Sequence, residues 1–393
     1  MKNIMIITPS LSGGGAEHLA ADLSRELADK YNVALVVYQE SEKEYEYKGT
    51  RYDLNLFSDS LEGKITCALK RCTKVKKLKR NLKTDLSISF LPQADYVNVF
   101  SKQKNEKVII SVVSNMSLVF PGGIKKIFRK FVLKHADHIV NVSEGVREDV
   151  VKTFKIPFSK ASVIYNSCDI DALRQDFNPD LLRSLCKPLK GPYIITAGSF
   201  RHPKGHWHLI KAFSLVVKSY PQSALIILGD GIYKDKYASL IDLLGLTKNV
   251  FLPGFVSNVN EYFNCADLFA LSSIYEGFAT VLVEALACGL PIVSTDCEFG
   301  PREILAPDTP VTAKASDIQK VEYGILTPPF DNTPIQITID LSEEELKFAE
   351  AIILALTQKR DQASLDAAKQ YCRRFGFDAI ACQWDKLLES LLI

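Results

Sequence analysis

The sequence predicts an α/β protein of two doubly wound domains, and three observations carry that prediction. Short apolar runs rich in Ile, Val and Leu alternate with amphipathic helical stretches along the chain, the pattern of parallel sheets covered by helices. The alternation is doubled about residues 178–192, where three prolines with charges between them have the composition of a linker. The 393 residues, 47% of them apolar, suffice for two cores of ordinary size.

Bulk properties remove several function classes. A net charge of +2 makes no global case for nucleic acid, so any basic site must be local. The nine cysteines show neither C-x-x-C spacing nor a paired framework, which points to reduced thiols in a reducing cytoplasm. The start, Met1-Lys2-Asn3, leads straight into a strand and does not read as a signal peptide. No apolar run reaches about 18 residues, so no membrane span is expected.

In chain order, a strand over residues 2–8 runs into Gly13-Gly14-Gly15-Ala16-Glu17 and a helix through Leu19, Leu23 and Leu27. Strand, glycine loop and helix in this order can cradle a phosphate on free backbone N–H groups, although a glycine triplet also suits a plain tight turn. The G-x-G-x-x-G spacing is missing and no Walker lysine follows, so the loop argues for neither a dinucleotide nor ATP. Residues 33–38 form the second strand, and 41–51 a polar loop with a short strand.

Residues 64–83 are the most unusual stretch. They carry Lys64, Lys70, Arg71, Lys74, Lys76, Lys77, Lys79, Arg80 and Lys83 and no acidic residue. Ile65, Ala68, Leu69, Cys72, Val75, Leu78 and Leu82 form one helical stripe, which makes this an amphipathic helix with a basic face. A solvated face is one explanation. Nine cations without counter-charge argue more strongly for an anionic partner, either lipid headgroups at about 1 kcal/mol per basic residue or a pyrophosphate-linked lipid. No aromatics are interleaved here, which disfavours single-stranded nucleic acid. Strands follow at 85–91, 107–113 and 138–142, with a second basic helix at 125–134, and Ser143 is placed to cap the next helix.

In the second half, a strand at 193–198 leads into Ser199-Phe200-Arg201-His202-Pro203-Lys204-Gly205-His206, a cationic loop suited to a diphosphate. His202, His206 and His208 read as surface histidines at a helix start; zinc ligation at i, i+4 is the alternative, and no local third ligand supports it. Strands at 224–229 and 250–254 follow. An apolar strand at 267–272 then runs into Tyr275-Glu276-Gly277-Phe278-Ala279-Thr280 and a helix marked by Val281, Leu282, Ala285 and Leu286. The helix start offers unsatisfied N–H groups and partial positive charge, and Glu276 and Glu284 bracket it on roughly one side. That arrangement suits a polyhydroxylated, diphosphate-bearing ligand, which is the chemistry of a nucleotide-sugar. A helix cap and a solvated glutamate would produce the same spacing. A strand at 291–296, Arg302 as a further positive charge at the site, a last strand near 323 and three closing helices complete the chain.

The run Glu276-Gly-Phe-Ala-Thr-Val-Leu-Val-Glu284-Ala-Leu-Ala-Cys-Gly-Leu-Pro291 resembles the E-x7-E signature of the retaining family-4 glycosyltransferases. The resemblance extends over nearly the whole chain. It includes Gly-Gly-Ala-Glu after the first strand, Ser143-Glu144-Gly145-Val146, Asn166 before Asp169, Lys204-Gly205 and Glu303-Ile304. It implies the GT-B fold: two Rossmann-like domains with parallel sheets facing an interdomain cleft, here 1–170 and 171–376, with the tail helix 377–392 crossing back onto the first. Asp169-Ile-Asp171 also invites a metal-binding D-x-D reading, which is set aside because the triplet lies at the interdomain segment.

The resemblance further implies a retaining sugar transfer from a UDP-sugar without a metal or other cofactor. Glu276, Lys204 and Arg201 would act at the reacting centre. Gly14, Gly15, Gly277, Phe278, Ala279, Thr280 and Glu284 would hold the donor. Two departures stand out: Ser199 occupies the place of the family's usual arginine, and Ser114-Asn115 stands where many members carry a histidine. The basic helix, through Lys70, Lys74, Lys77 and Arg80, suggests a polyprenyl-diphosphate-linked glycan acceptor and an anionic membrane surface. The enzyme would then be peripheral on the cytoplasmic face of the membrane, and nucleic acid is not expected as a partner. A UDP-sugar epimerase of the same fold and a non-catalytic nucleotide-sugar-binding protein are the alternatives.

Overall fold

The computed structural model describes residues 1–41, 44–57, 61–171, 177–358 and 362–392, and the side chains of residues 61, 62, 64 and 65, among them Lys64 and Ile65, lie outside that description, as do residues 42 and 43 of the polar loop. The chain divides into two units, Met1–Ser167 with Phe377–Ile393, and Cys168–Gly376.

The first unit is built on seven parallel strands. They are β1 (Asn3–Ile7), β2 (Asn32–Val37), β3 (Thr50–Asp53), β4 (Leu86–Phe90), β5 (Lys107–Val112), β6 (His138–Asn141) and β7 (Ala161–Val163), in the order β3-β2-β1-β4-β5-β6-β7. The central strands are buried along nearly their whole length because helices cover both faces, and the few polar side chains on them, such as Ser87 and Ser89, are buried too. Chain order reverses between β1 and β4, and a doubly wound sheet binds ligands outside such a reversal. The helix Phe377–Leu391 belongs to this unit. Ile380, Trp384 and Leu388 join its core, and Lys30 pairs with Asp385.

The basic helix forms over Leu61–Asn81, but its charges are not one face. Lys79 is fully buried: its Nζ lies 2.6 Å from Glu106 Oε1 and donates to Asn98 Oδ1 at 2.7 Å. Burial outweighs the attraction of Glu106 and lowers the Lys79 pKa to about 8. Arg71 is also buried, donates to Leu56 O and stacks over Tyr38 at 4.1 Å. Conversely Ala68 and Leu69, expected on the apolar stripe, are exposed. The run is thus partly a structural helix whose long cations reach inward to partners distant in sequence. Lys70, Lys74, Lys77 and Arg80 are exposed, with Lys74 Nζ donating to Leu54 O at 3.1 Å.

The second unit repeats the plan. Its strands are β8 (Tyr193–Ala197), β9 (Ala224–Leu228), β10 (Val250–Gly254), β11 (Leu268–Leu271), β12 (Ile292–Thr295), β13 (Gln319–Val321) and β14 (Gly324–Thr327), in the order β10-β9-β8-β11-β12-β14-β13. All pairs are parallel except β13–β14. The reversal falls between β8 and β11. Residues 178–192, a linker by composition, are packed into this unit: a short helix Leu181–Leu185 forms there, and Leu182 and Cys186 are fully buried. Among the described residues no helix is long and apolar enough to cross a membrane.

Candidate functional site

The reversal between β8 and β11 places two loops side by side. After β8 the chain turns through His202–Lys204 into the helix His206–Ser219; after β11 it passes Ser272–Ala279 into the helix Thr280–Ala287. The loops are locked together by backbone. Ile274 N donates to Pro203 O at 2.8 Å and Ser272 Oγ to Lys204 O at 3.0 Å. Gly205 has φ +57, and a Cβ there would sit 2.2 Å from Ser272 O, so only glycine allows this approach.

The lock brings Lys204 and Glu276 together. Lys204 Nζ lies 2.6 Å from Glu276 Oε1, Ser273 Oγ donates to the same oxygen at 2.6 Å, and Oε2 has no hydrogen-bond partner among the described residues. The backbone of Glu276 is held in turn by Glu298, whose carbonyl accepts from Glu276 N at 2.5 Å. Thr295 Oγ1 donates to Ser273 O at 2.6 Å. The result is a half-buried charged pair with one carboxylate oxygen and one ammonium group available to a ligand.

Just beyond, the helix Thr280–Ala287 begins with Ala279 in the left-handed conformation, φ +64, without a side-chain cap. Its first N–H groups therefore point out of the helix with the positive end of the dipole. Phe278 contributes only backbone, because its ring is buried against Phe375 at 5.3 Å. Gly277 and Thr280 are half-buried. The Glu284 side chain, about one turn into the helix, forms no hydrogen bond or ion pair among the described residues, and burial alone raises its pKa to about 7. The residue nonetheless keeps part of its surface. A carboxyl crowded by protein yet open to water sits in a recess, where incoming hydroxyl groups would replace lost solvent.

The other expected residues fall elsewhere. Arg201 is exposed at the start of the His202–Lys204 turn, and its guanidinium makes no hydrogen bond among the described residues. Arg302 is not a free positive charge: it is buried, and its Nη2 lies 2.5 Å from Asp296 Oδ2. Nor are His206 and His208 surface histidines. Both are buried; His208 Nδ1 lies 2.6 Å from Glu345 Oε1, and burial followed by the nearby Lys204 pushes His206 down to about 3. Among the described residues no group of three His, Cys, Asp or Glu side chains could hold a metal ion.

In the first unit, Gly14 precedes the helix Gly15–Leu27 at the carboxyl edge of β1. Gly15 has open space where a side chain would be, whereas a Cβ on Gly14 would meet the Glu17 carboxylate at 2.5 Å. Asn115 is a helix cap: buried, its Oδ1 accepts from Leu118 N at 3.1 Å. Ser143 caps the helix Glu144–Phe154 by accepting from Val146 N at 3.2 Å. Sequence reasoning missed Ser273 and Glu298, which orient Glu276. Ser273 stands three residues before Glu276, a weak signal; Glu298 acts through its backbone and leaves none.

Comparison with known proteins agrees with this architecture. An Anabaena HepE structure in complex with UDP superposes with a TM-score of 0.77, covering 99% of this chain and 100% of that one at 19% identity, which shows a shared GT-B fold. Residues 178–325 match the family described as glycosyl transferases group 1, and residues 13–172 match glycosyltransferase family 4. An uncharacterized glycosyltransferase of Methanocaldococcus jannaschii is 32% identical over 82% of this chain and 84% of its own length. The N-acetylgalactosamine-N,N'-diacetylbacillosaminyl-diphospho-undecaprenol 4-alpha-N-acetylgalactosaminyltransferase of Campylobacter jejuni is 31% identical over 78% of this chain and 84% of its own. The chain belongs to the family-4 glycosyltransferases, and it is a glycosyltransferase of GT-B fold.

Proposed function

We propose that this enzyme moves a hexose or N-acetylhexosamine, with retention of configuration, from a UDP-sugar to a lipid-diphosphate-linked glycan at the cytoplasmic face of the membrane. The observation that carries the reading is the Lys204–Glu276 pair beside the start of the helix Thr280–Ala287. Lys204 and the N–H groups at Ala279 and Thr280 meet the diphosphate, and Arg201 adds charge from the exposed side. Glu276 accepts from the donor sugar hydroxyls through Oε2, and Glu284 accepts from the ribose. The bond between the anomeric carbon and the phosphate oxygen breaks while the acceptor oxygen bonds to the same face of that carbon. The departing phosphate takes the acceptor proton. Lys204 and the helix start stabilise the charge that develops on the diphosphate, so the reaction needs no metal or other cofactor.

The glycan acceptor is supported by the named activity of the Campylobacter relative, and a UDP donor by the UDP bound to HepE. The exposed cations Lys70, Lys74, Lys77 and Arg80 support a peripheral position on anionic lipid.

The test is nucleotide release from a panel of UDP-, GDP- and ADP-sugars, with and without a lipid-linked acceptor extract, in the presence of chelator. The expected result is UDP release that depends on acceptor and ignores chelator. Release without acceptor would replace the reading with an epimerase or hydrolase, and a requirement for a divalent ion would return Asp169 and Asp171 to consideration.

A further inference from the structure

The first unit carries an apolar groove that the transfer chemistry does not use. It has a volume of about 580 Å³ and lies between the helices Leu61–Asn81, Pro92–Phe100 and Gly123–His135. Its walls are Phe57, Leu69, Tyr96, Phe100 and Phe128. The aromatic rings form a continuous ladder: Tyr96 to Phe128 at 4.9 Å, Phe128 to Phe100 at 5.9 Å, Phe100 to Phe131 at 6.1 Å. These are large apolar groups left in water, with Leu69 66% and Phe57 57% exposed, and Ile124 and Ile127 on the adjoining helix face 81% and 70% exposed. So much contiguous apolar surface marks a binding site.

Position and charge indicate what the groove receives. Phe57 follows the carboxyl end of β3, and Gln93, also on the lining, lies in the first turn after β4. One end of the groove therefore opens at the carboxyl edge of the sheet, the edge where such folds bind ligands. From there it runs along the helix Pro92–Phe100, about 13 Å at the helical rise. The flanking helix Gly123–His135 carries Lys125, Lys126, Lys130 and Lys134 and no acidic residue, and Lys70 adjoins Leu69 on the other wall. Arg129, the helix's other cation, is turned inward onto Asp95 at 2.6 Å. A concave apolar channel whose lining includes Arg71 and whose two flanking helices are basic complements one hydrocarbon chain ending in an anionic head, and its volume lies in the range of pockets that enclose a single small ligand.

We propose that this groove seats the isoprenoid chain of a lipid diphosphate, with the lysines of the two flanking helices meeting the diphosphate. The inference rests on the lipid-linked acceptor reading and deepens it: the acceptor would be recognised by its lipid as well as by its glycan.

The experiment is calorimetric binding on the full chain with farnesyl diphosphate below its aggregation concentration, inorganic pyrophosphate, and phosphatidylglycerol vesicles, using Leu69→Ser and Phe128→Ser. Both side chains are exposed, so unchanged melting temperatures are expected. Farnesyl diphosphate should bind at least tenfold more tightly than pyrophosphate. Each variant should lose at least fivefold of affinity for farnesyl diphosphate and none for pyrophosphate. Equal affinity for the two probes overturns the proposal. Variants that lose vesicle binding but keep farnesyl diphosphate overturn it in favour of a bilayer-docking face, and variants that break a dimer overturn it in favour of a second copy. The readout is binding, so a failed transfer assay would count against the proposed reaction and not against this result.

Discussion

The two units share one plan, seven strands whose order reverses between the first and fourth of each sheet, yet their reversal points are finished differently. In the second unit the loops after β8 and β11 are pinned by backbone hydrogen bonds and by a glycine with no room for a side chain, and they hold a charged pair. In the first unit the loop after β1 is open, with Gly15 exposed and unobstructed, and the unusual surface lies out on the helices. The difference teaches a division of labour. Charge stabilisation during transfer needs groups fixed before the reaction, whereas recognition of a large acceptor needs surface.

The largest effect should come from breaking the fixed side. Lys204→Ala is expected to reduce kcat about 10²–10³-fold, the usual cost of removing one preorganised charge-stabilising donor. Melting temperature should fall as well, because the side chains of the pair keep only 24% and 10% of their exposure and the variant leaves the Glu276 carboxylate without its counter-charge. Undiminished turnover in steady-state assays would remove Lys204 from the reaction. Next, Gly205→Ala should cost about 2–4 kcal/mol, since its Cβ meets Ser272 O, while Gly15→Ala should stay within about 0.5 kcal/mol. Denaturant melts of the pair test whether one loop is rigid and the other free; equal effects would erase the distinction.

Glu284 sharpens the comparison through pH. Its pKa in the fold, about 7, lies above the ordinary 4.5, so folding disfavours the ionised form. That penalty is absent below pH about 4.5, grows as pH rises to about 7, and is constant above it. Glu284→Gln should therefore be more stable than the parent at pH 8, by at most about 3 kcal/mol, with the advantage vanishing near pH 4. A pH-independent difference would show that Glu284 is well solvated. The smallest effect belongs to Ala279, held at φ +64 where the helix starts. Ala279→Gly relieves that strain but frees the unfolded chain, so a gain of no more than about 1 kcal/mol is expected in thermal melts.

Much of the site was readable because it is local. Glu276, the helix start and Glu284 lie within one continuous run, and Lys204-Gly205 forms a second. Strand–helix alternation alone places both runs at a sheet edge. What could not be read depends on partners far along the chain. Lys79 looks like its neighbours on the basic helix until Glu106 is brought to it, and Arg302 looks like a site cation until Asp296 takes it. The histidines after Lys204 are polar in any composition count, but His206 is buried against Phe200 and Tyr237, and the helix Glu343–Thr357 supplies Glu345 to His208.

The sequence by itself determined the α/β class, the doubled alternation and the two contiguous runs that form the candidate site, because hydrophobic period and contiguous motifs are properties of neighbours in the chain. Tertiary structure alone decided which cations are buried and which face water, that residues 178–192 pack as part of a domain, and that Ser273 and Glu298 aim Glu276. It also assembled an apolar groove from three helices that lie apart in the sequence. Burial and orientation are set by contacts between residues far apart in sequence, and no local pattern records them.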